Sequence, residues 1–211
     1  MDAYAVSALL EDLFRHSRLT YYHCLHVAVT ARQVAMELGL EYQEVEKIFL
    51  GALFHDIGKL KIPRAILHKK GQLTPAEWEK MYKHPEEGCH LLPDTFPWQP
   101  IKEIILYHHE RWDGRGYYGL SRTKIPLGAR IIALADAFDA MTSRRPYQEA
   151  RGLSAALREL EECSGSQFDP QVVEAFFSLT AGFLKGRQVL RPEKINLILN
   201  VTTRKLNSNE L

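Results

Sequence analysis

The sequence predicts an all-α fold, a compact bundle of about seven or eight helices. Three observations support this fold class. Apolar residues recur at helical spacing along most of the chain, several segments open with helix start signals, and no alternating segment with hairpin turns occurs before residue 195. The 211 residues, 45% hydrophobic and 25% charged, suit one soluble domain that buries a substantial core.

The first half of the chain supplies four predicted helices. Ala5–Phe14 is short and amphipathic, and Tyr22–Leu38 carries an apolar stripe that ends before Gly39, a residue typical of helix C-caps. Val45–Phe54 is strongly apolar and predicts a buried helix. The segment that begins at Thr74 combines a threonine N-cap with a following proline and a glutamate three residues on, which predicts a helix start.

The second half supplies four more. Ile101–His109 predicts a helix that a following Asp-Gly-Arg-Gly turn breaks, and Leu127–Met141 predicts one that a proline opens. Leu153–Glu162 and Val172–Leu184 follow, the second of them after an Asp-Pro start. The segment 196–203 is consistent with either a strand or a tail, and the sequence does not decide between them.

Composition and cysteine usage exclude several classes of protein. The net charge of +1 gives no support for a surface that wraps nucleic acid. Cys24, Cys89 and Cys163 are widely spaced and form no CxxC motif, which indicates a reducing cytosol rather than a disulfide framework. No apolar run approaches the roughly 18 residues of a membrane span, and the acidic N-terminus differs from a signal peptide. We expect a cytoplasmic protein without membrane association or stable nucleic-acid binding.

Several polar residues occur at positions that require an explanation. Asp136 lies within an apolar helix, where a buried carboxylate needs a partner or a metal, and pairing with Arg130 or Arg144 is the alternative. His55 and Asp56 follow another apolar helix. Taken alone, that pair is also consistent with a simple helix C-terminus.

His108 and His109 close a predicted helix. Successive helical residues point about 100° apart, so the two imidazoles are not expected to share one metal face. They would serve two ions, or an ion and a bridging group; taken alone, one core and one solvent histidine is the alternative. Imidazole and carboxylate donors together suit iron, manganese, zinc or nickel. The pattern therefore favours a two-metal site.

Between Thr20 and Phe176 the sequence resembles the HD-GYP domain, a subgroup of the HD phosphohydrolases. The matching segments, in the expected order and separation, are TYYHCLHVA (20–28), HDIGKLKIP (55–63), HPEEG (84–88), HHERWDGRGYYG (108–119), DAFDAMTSRRPYQ (136–148) and FDP (168–170). HD alone is a weak signal, whereas the combination is not expected by chance. The resemblance implies a catalytic domain over residues 19–185, between an N-terminal helical extension at 1–18 and a C-terminal extension at 186–211.

The resemblance implies a helical bundle of the HD-domain type that opens a cyclic dinucleotide, usually cyclic di-GMP, to linear pGpG and sometimes onward to GMP. Seven metal ligands carry over, namely His23, His55, Asp56, His84, His108, His109 and Asp136. Two catalytic residues are implied: Asp56, which would bridge two ions, and Lys59, which would face the scissile phosphate. Tyr117, Asp139 and Arg145, with Lys59, would bind the substrate.

This sequence departs from the family pattern at three positions. Tyr118 replaces the proline of the GYP motif; because proline fixes φ, the loop is expected to be more mobile or differently shaped. Gln148 stands where the family often has lysine or arginine, which removes a candidate phosphate contact. Leu19 stands where some members carry a glutamate for a third metal. We therefore expect two divalent ions, with iron or manganese ahead of zinc or nickel.

Three functions stay open at this point. The first is hydrolysis of cyclic di-GMP, and the second is hydrolysis of another cyclic dinucleotide such as cyclic GMP-AMP, or of a nucleotide. The third, of a different class, is a catalytically weak, metal-stabilised signalling module that binds a cyclic dinucleotide or a partner protein. The complete ligand set argues against the third. No sensor domain is readable in the sequence, which leaves open a homodimer or a separate sensor or regulatory partner.

Overall fold

The computed structural model describes residues 3–94, 98–143 and 152–184. Within these ranges the protein is helical, which confirms the all-α fold class. The α-helices are α1 (Ala3–His16), α2 (Arg18–Glu37), α3 (Tyr42–Phe54), α4 (Arg64–Leu67), α5 (Pro75–Tyr82), α6 (His84–Leu91), α7 (Trp98–Leu106), α8 (Leu127–Thr142), α9 (Leu153–Glu162) and α10 (Pro170–Leu184). Two short 3-10 helices cover Ile57–Lys61 and Arg122–Lys124.

The predicted helix starts and stops follow local capping chemistry. The Thr74 hydroxyl accepts the backbone N–H of Glu77, whose carboxylate in turn accepts the backbone N–H of Thr74, so α5 begins with a complete capping box. Ser17 caps α2 in the same way by accepting the N–H of Thr20, which starts that helix earlier than its apolar stripe indicates. Gly39 has a φ of +72°, as expected of a residue that follows a helix C-cap.

The described part of the chain contains more helices than the sequence predicts, for two reasons. The four-residue α4 is too short to show a helical period. Helices α5 and α6 are separated by the single residue Lys83, so the sequence shows one helix start, at Thr74, where the structure has two helices. The end of α7 is also corrected, because the helix stops at Leu106 and not at His109.

Helix α2 lies at the centre of the bundle and packs against α1, α3, α8 and α10. Its small buried residues Ala28, Ala31 and Ala35 let the neighbouring helices approach closely. Helix α3 packs on α2, α7 and α8, and every residue from Ile48 to Phe54 is buried. The ends of these central helices therefore converge on one region of the core.

The 3-10 helix that follows Asp56 packs directly on α6. A Cβ atom added to Gly58 would lie 1.9 Å from the carbonyl oxygen of His84, so only glycine permits this approach. The close contact brings the start of α6 beside Asp56.

Two predictions about the whole chain can be compared with the structure. Cys24, Cys89 and Cys163 are free thiols, as their spacing indicates. No helix in the described ranges is both long enough and apolar enough to cross a membrane.

Candidate metal centre

Asp56 lies at the centre of a buried cluster of imidazole groups. Its Oδ1 is 3.3 Å from Nε2 of His84. Its Oδ2 is 3.6 Å from Nε2 of His55 and 3.9 Å from Nε2 of His23. The Asp56 side chain is only 2% exposed. Both of its oxygens therefore face imidazole nitrogens, which is the placement expected of a ligand shared between two ions.

Three histidines of the cluster are held in the same way. In each, Nδ1 donates a hydrogen bond to the backbone carbonyl three residues earlier in the chain. The pairs are His55 with Ala52 (2.7 Å), His84 with Met81 (2.7 Å) and His108 with Ile105 (2.6 Å). Because a carbonyl only accepts, the proton of the neutral ring is on Nδ1 and the Nε2 lone pair is free to bind a metal.

These free lone pairs converge. Nε2 of His84 lies 3.3 Å from Nε2 of His108 and 3.3 Å from Oδ1 of Asp56. Burial lowers the pKa of His84 to about 3 and holds the pKa of His108 well below its usual range, so both rings are neutral at pH 7. Three acceptors at these separations repel one another unless a cation lies between them. The donor set therefore fits a divalent ion.

His108 and His109 lie in the turn after α7 and not on the helix itself. Their ring centroids are 4.1 Å apart. One nitrogen from each, together with one from His84, lies within 4.8 Å of the other two. The prediction that the adjacent imidazoles point apart is therefore wrong, since the 100° rotation per residue applies only within a helix.

A second group of donors adjoins the first. Ligand atoms of His23, His55 and Asp56 also lie within 4.8 Å of one another. Asp56 thus belongs to this group and contacts His84 of the other. Two donor sets therefore adjoin at one carboxylate, and each of them could hold a metal ion.

Asp136 extends the second group from α8. Its Oδ1 lies 3.0 Å from Nε2 of His23, and its side chain is 21% exposed, so it is less buried than its apolar neighbours indicate. The alternative pairing with Arg130 is wrong, because the guanidinium of Arg130 binds Asp169 instead. Arg144 lies outside the described residues.

Asp139 holds two histidines of α2. Nδ1 of His23 donates to its Oδ2 at 2.6 Å, and Nδ1 of His26 lies 3.1 Å from its Oδ1. The Ser143 hydroxyl also donates to Oδ1, at 2.8 Å. Asp139 therefore orients His23 in addition to its predicted place at the substrate pocket. Sequence reasoning did not single out His26, although its position three residues after His23 places both on one helical face.

The hydrogen bonds of His23 distinguish it electrostatically from the other histidines of the cluster. Burial acts to lower its pKa, but the carboxylates of Asp136 and Asp139 outweigh burial and raise the pKa to about 9. Burial lowers the pKa of His55 and His109. His23 is thus the ring that must release a proton when it binds a cation.

Lys59 lies beside the cluster on the 3-10 helix. Its Nζ is 2.5 Å from Oδ2 of Asp56, and its side chain is 20% exposed. Burial disfavours both charges, yet their attraction keeps the pKa of Lys59 raised and that of Asp56 well below its usual range. The pair is therefore ionised at neutral pH, and the ammonium group is open to a cavity of about 300 Å³.

The remaining predicted substrate residues are placed as follows. Asp139 lines the cavity together with Lys59. The ring of Tyr117 packs against His109, with centroids 4.7 Å apart, and against Tyr82, at 4.4 Å. Arg145 lies outside the described residues.

Glu110 is a buried carboxylate that sequence reasoning did not single out. It is 3% exposed, and its Oε1 accepts the backbone N–H of Tyr118 at 2.5 Å. A proline at position 118, which the GYP motif specifies, would have no N–H to donate. The replacement therefore adds a hydrogen bond that fastens the loop next to His109.

Comparison with known proteins adds independent findings. The sequence matches the HD domain family over residues 6–172. A cyclic di-GMP phosphodiesterase of Thermotoga maritima is 45% identical over 165 residues, which cover 76% of this chain and 44% of that protein. A 3'3'-cGAMP-specific phosphodiesterase of Vibrio cholerae is 39% identical over 161 residues, covering 75% of this chain and 31% of that protein.

A solved structure shares the fold. The crystal structure of a cyclic GMP-AMP specific phosphodiesterase of V. cholerae aligns with a TM-score of 0.64 at 21% identity, covering 84% of this chain and 48% of that one. The chain therefore spans less than half the length of each of these three proteins.

Proposed function

This chain belongs to the HD domain family, in its HD-GYP group, and we propose that it is a metal-dependent phosphodiesterase that hydrolyses a cyclic dinucleotide. Cyclic di-GMP, opened to pGpG, is the first candidate substrate, and a second hydrolysis would cut pGpG to GMP. The proposal extends to this chain the activity named for relatives of which the match covers only 44% and 40%. It rests on the site as well as on those relatives.

The observation that carries the proposal is the convergence of metal-binding side-chain atoms at Asp56. Nε2 of His55 and Oδ1 of Asp56 are buried and have no hydrogen-bond partner among the described residues. A buried polar atom without a partner costs roughly 1–3 kcal/mol, which a bound cation would offset. The proposed ligands of two divalent ions, iron or manganese ahead of zinc or nickel, are His23, His55, Asp56, His84, His108, His109 and Asp136.

When bound, such ions would supply a hydroxide nucleophile and neutralise charge on the phosphate. The residues of the chain would do the rest. Lys59, ionised and open to the cavity, would bind a phosphate oxygen and stabilise the leaving 3′ oxygen, giving up a proton directly or through water. Asp139 would fix His23 through its hydrogen bond. Tyr117 and Arg145 remain proposed substrate contacts.

Turnover of a substrate panel tests this function. Protein purified without oxygen and loaded with Mn²⁺ or Fe²⁺ is expected to hydrolyse cyclic di-GMP, and His55→Ala is expected to abolish hydrolysis. His90→Ala is the matched control, because that histidine is exposed on α6, and it should keep wild-type turnover. Binding of a cyclic dinucleotide without turnover by the metal-loaded protein would instead identify a signalling module.

Cyclic GMP-AMP is a second candidate substrate, since a relative that covers 75% of the chain is named as specific for it. The ratio of kcat/KM for cyclic di-GMP to kcat/KM for cyclic GMP-AMP decides between them. A value above one supports the first candidate, and a value below one supports the second.

A further inference from the structure

The cavity beside the candidate metal centre has walls of two kinds. Asp56, Lys59 and Asp139 form a charged part. Leu19, Tyr22 and Leu67 form an apolar and aromatic part. A nucleotide has the same two kinds of surface, since a ribose separates its anionic phosphate from the flat apolar faces of its base.

One face of α2 connects the two parts. Leu19, Tyr22, His23 and His26 are separated by three, one and three residues, and all four line the cavity. At 1.5 Å of rise per residue, Leu19 and Tyr22 lie within about 6 Å of His23 along the helix axis. The apolar wall is therefore about one helical turn away from a proposed metal ligand.

Tyr22 presents an open aromatic ring in a fixed position. The residue is 51% exposed although it lines the cavity. Its ring makes edge-to-face contacts with Tyr21, at a centroid distance of 5.5 Å, and with Phe14, at 6.3 Å. Such contacts hold a ring in place and leave part of its surface free.

We propose that Tyr22, flanked by Leu19 and Leu67, forms a nucleobase subsite in which one purine base of the substrate stacks on the tyrosine ring. The phosphate of the same nucleotide would lie beside Lys59. The leucine side chains carry no polar groups, so the base covers them without desolvating a charge. This inference rests on the proposed function and names the part of the substrate that the cavity recognises.

Binding of GMP and of ribose 5-phosphate to the metal-loaded protein tests the subsite without any turnover, because neither ligand contains a phosphodiester. The wild-type protein should bind GMP more tightly than ribose 5-phosphate. Base–aromatic stacking corresponds to about a fivefold to hundredfold change in affinity. Tyr22→Ala should weaken GMP binding by that factor and leave ribose 5-phosphate binding unchanged. Tyr22→Phe should retain GMP binding, since the ring face remains.

Tyr42→Ala is the matched control, because Tyr42 is also 51% exposed and belongs to α3. It should not change the affinity for GMP. A second measurement follows tryptophan fluorescence. GMP should quench the fluorescence that Tyr22→Trp adds, whereas in Tyr42→Trp it should cause no more quenching than in the wild-type protein. Tyr22→Ala protein that binds GMP as wild type does, or that loses both ligands equally, would overturn the subsite.

The subsite and the proposed function fail in different ways. If Tyr22→Ala and the wild type hydrolyse cyclic di-GMP with the same KM, the subsite is contradicted and the proposed function is supported. If GMP binding depends on Tyr22 but the protein has no phosphodiesterase activity, the proposed function is contradicted and the subsite is supported.

Discussion

The ammonium group of Lys59 and the carboxylate of Asp56 form an ion pair at the point where the two donor groups meet. Lysine is a compact point charge that suits phosphate, and its raised pKa keeps it charged at neutral pH. Within this pair, Asp56 is proposed to bind metal and Lys59 is proposed to act on the phosphate.

Lys59→Ala should leave the metal content and the fold unchanged and lower the single-turnover rate by roughly 10²–10⁴-fold, as is typical of losing a general acid or an electrostatic stabiliser. Lys59→Arg should recover part of the rate, because guanidinium keeps the charge and does not readily release a proton. Metal content and rate are measured on the same samples, with Lys61→Ala on the same 3-10 helix as the exposed control. Loss of metal in proportion to activity would make Lys59 a structural support.

Tyr118→Pro should destabilise the protein even though it restores the family motif. Glu110 would lose the N–H that its buried Oε1 accepts, at a cost of roughly 1–3 kcal/mol. Tyr118→Ala keeps the N–H and serves as the control in denaturant unfolding of both variants. A free energy of unfolding for Tyr118→Pro equal to that of Tyr118→Ala would show that the hydrogen bond contributes nothing.

Residue-level chemistry could be predicted only in part. The seven proposed ligands came from a resemblance. The structure places six of them in the two donor groups and the seventh, Asp136, in contact with His23. The bond between Glu110 and Tyr118 joins a side chain to a backbone group, and no sequence pattern specifies it. The position of His26 on Asp139 depends on how α2 packs against α8, which spacing along one helix does not determine.

Among the secondary-structure elements, the C-terminal ends of α3 and α7 position His55 and His108 in the candidate metal centre. In a continuing helix, the Ile105 carbonyl would accept the N–H of His109; here it accepts Nδ1 of His108. Ala52 and His55 make the same exchange at the end of α3. The bond that orients each imidazole therefore also competes with the next helical hydrogen bond, so α7 ends three residues before the sequence predicts.

Helix starts were easier to predict than these ends. Thr74 and Glu77 cap α5 through contacts within four residues, which the sequence displays directly. The ends of α3 and α7 depend instead on a histidine side chain that accompanies the end of the helix. In the sequence, such a histidine cannot be distinguished from a further helical residue.

At the scale of the whole molecule, the bundle keeps opposite charges in a shared buried site, and its stability should depend on pH. His84, with a pKa lowered from 6.5 to about 3, must charge on unfolding in acid, so its contribution is present above pH 6.5 and is lost as the pH falls toward 3. Asp56 and Asp136, whose pKa values are also lowered, act in the same direction.

His23 acts oppositely: with its pKa raised from 6.5 to about 9, its contribution is complete below pH 6.5 and is lost as the pH rises through 9. The metal-free protein should therefore be most stable near neutral pH, with the Tm falling on both sides. Thermal unfolding in chelator between pH 4 and pH 10 measures this profile. A Tm that rises steadily from neutral pH to pH 4 would contradict these ionisation states.

The all-α class and the central helices followed from apolar spacing, because most of the core comes from α2, α3 and α8, whose buried stripes are regular. The cavity beside Lys59 did not follow from spacing, because its walls come from α2, the 3-10 helix, α4 and the end of α8. Residues 19–185 remain our proposal for the catalytic unit, since the chain spans less than half the length of its relatives.

We propose that two metal ions, held by Asp56 and its surrounding histidines, make this chain a phosphodiesterase. Titration of Mn²⁺ into chelator-treated protein, with cyclic di-GMP hydrolysis followed at each step, tests that claim most directly. We predict no turnover without metal and a rise that reaches a plateau at two equivalents per chain. Turnover that persists in the metal-free protein, or none on any cyclic dinucleotide at full metal loading, would contradict it.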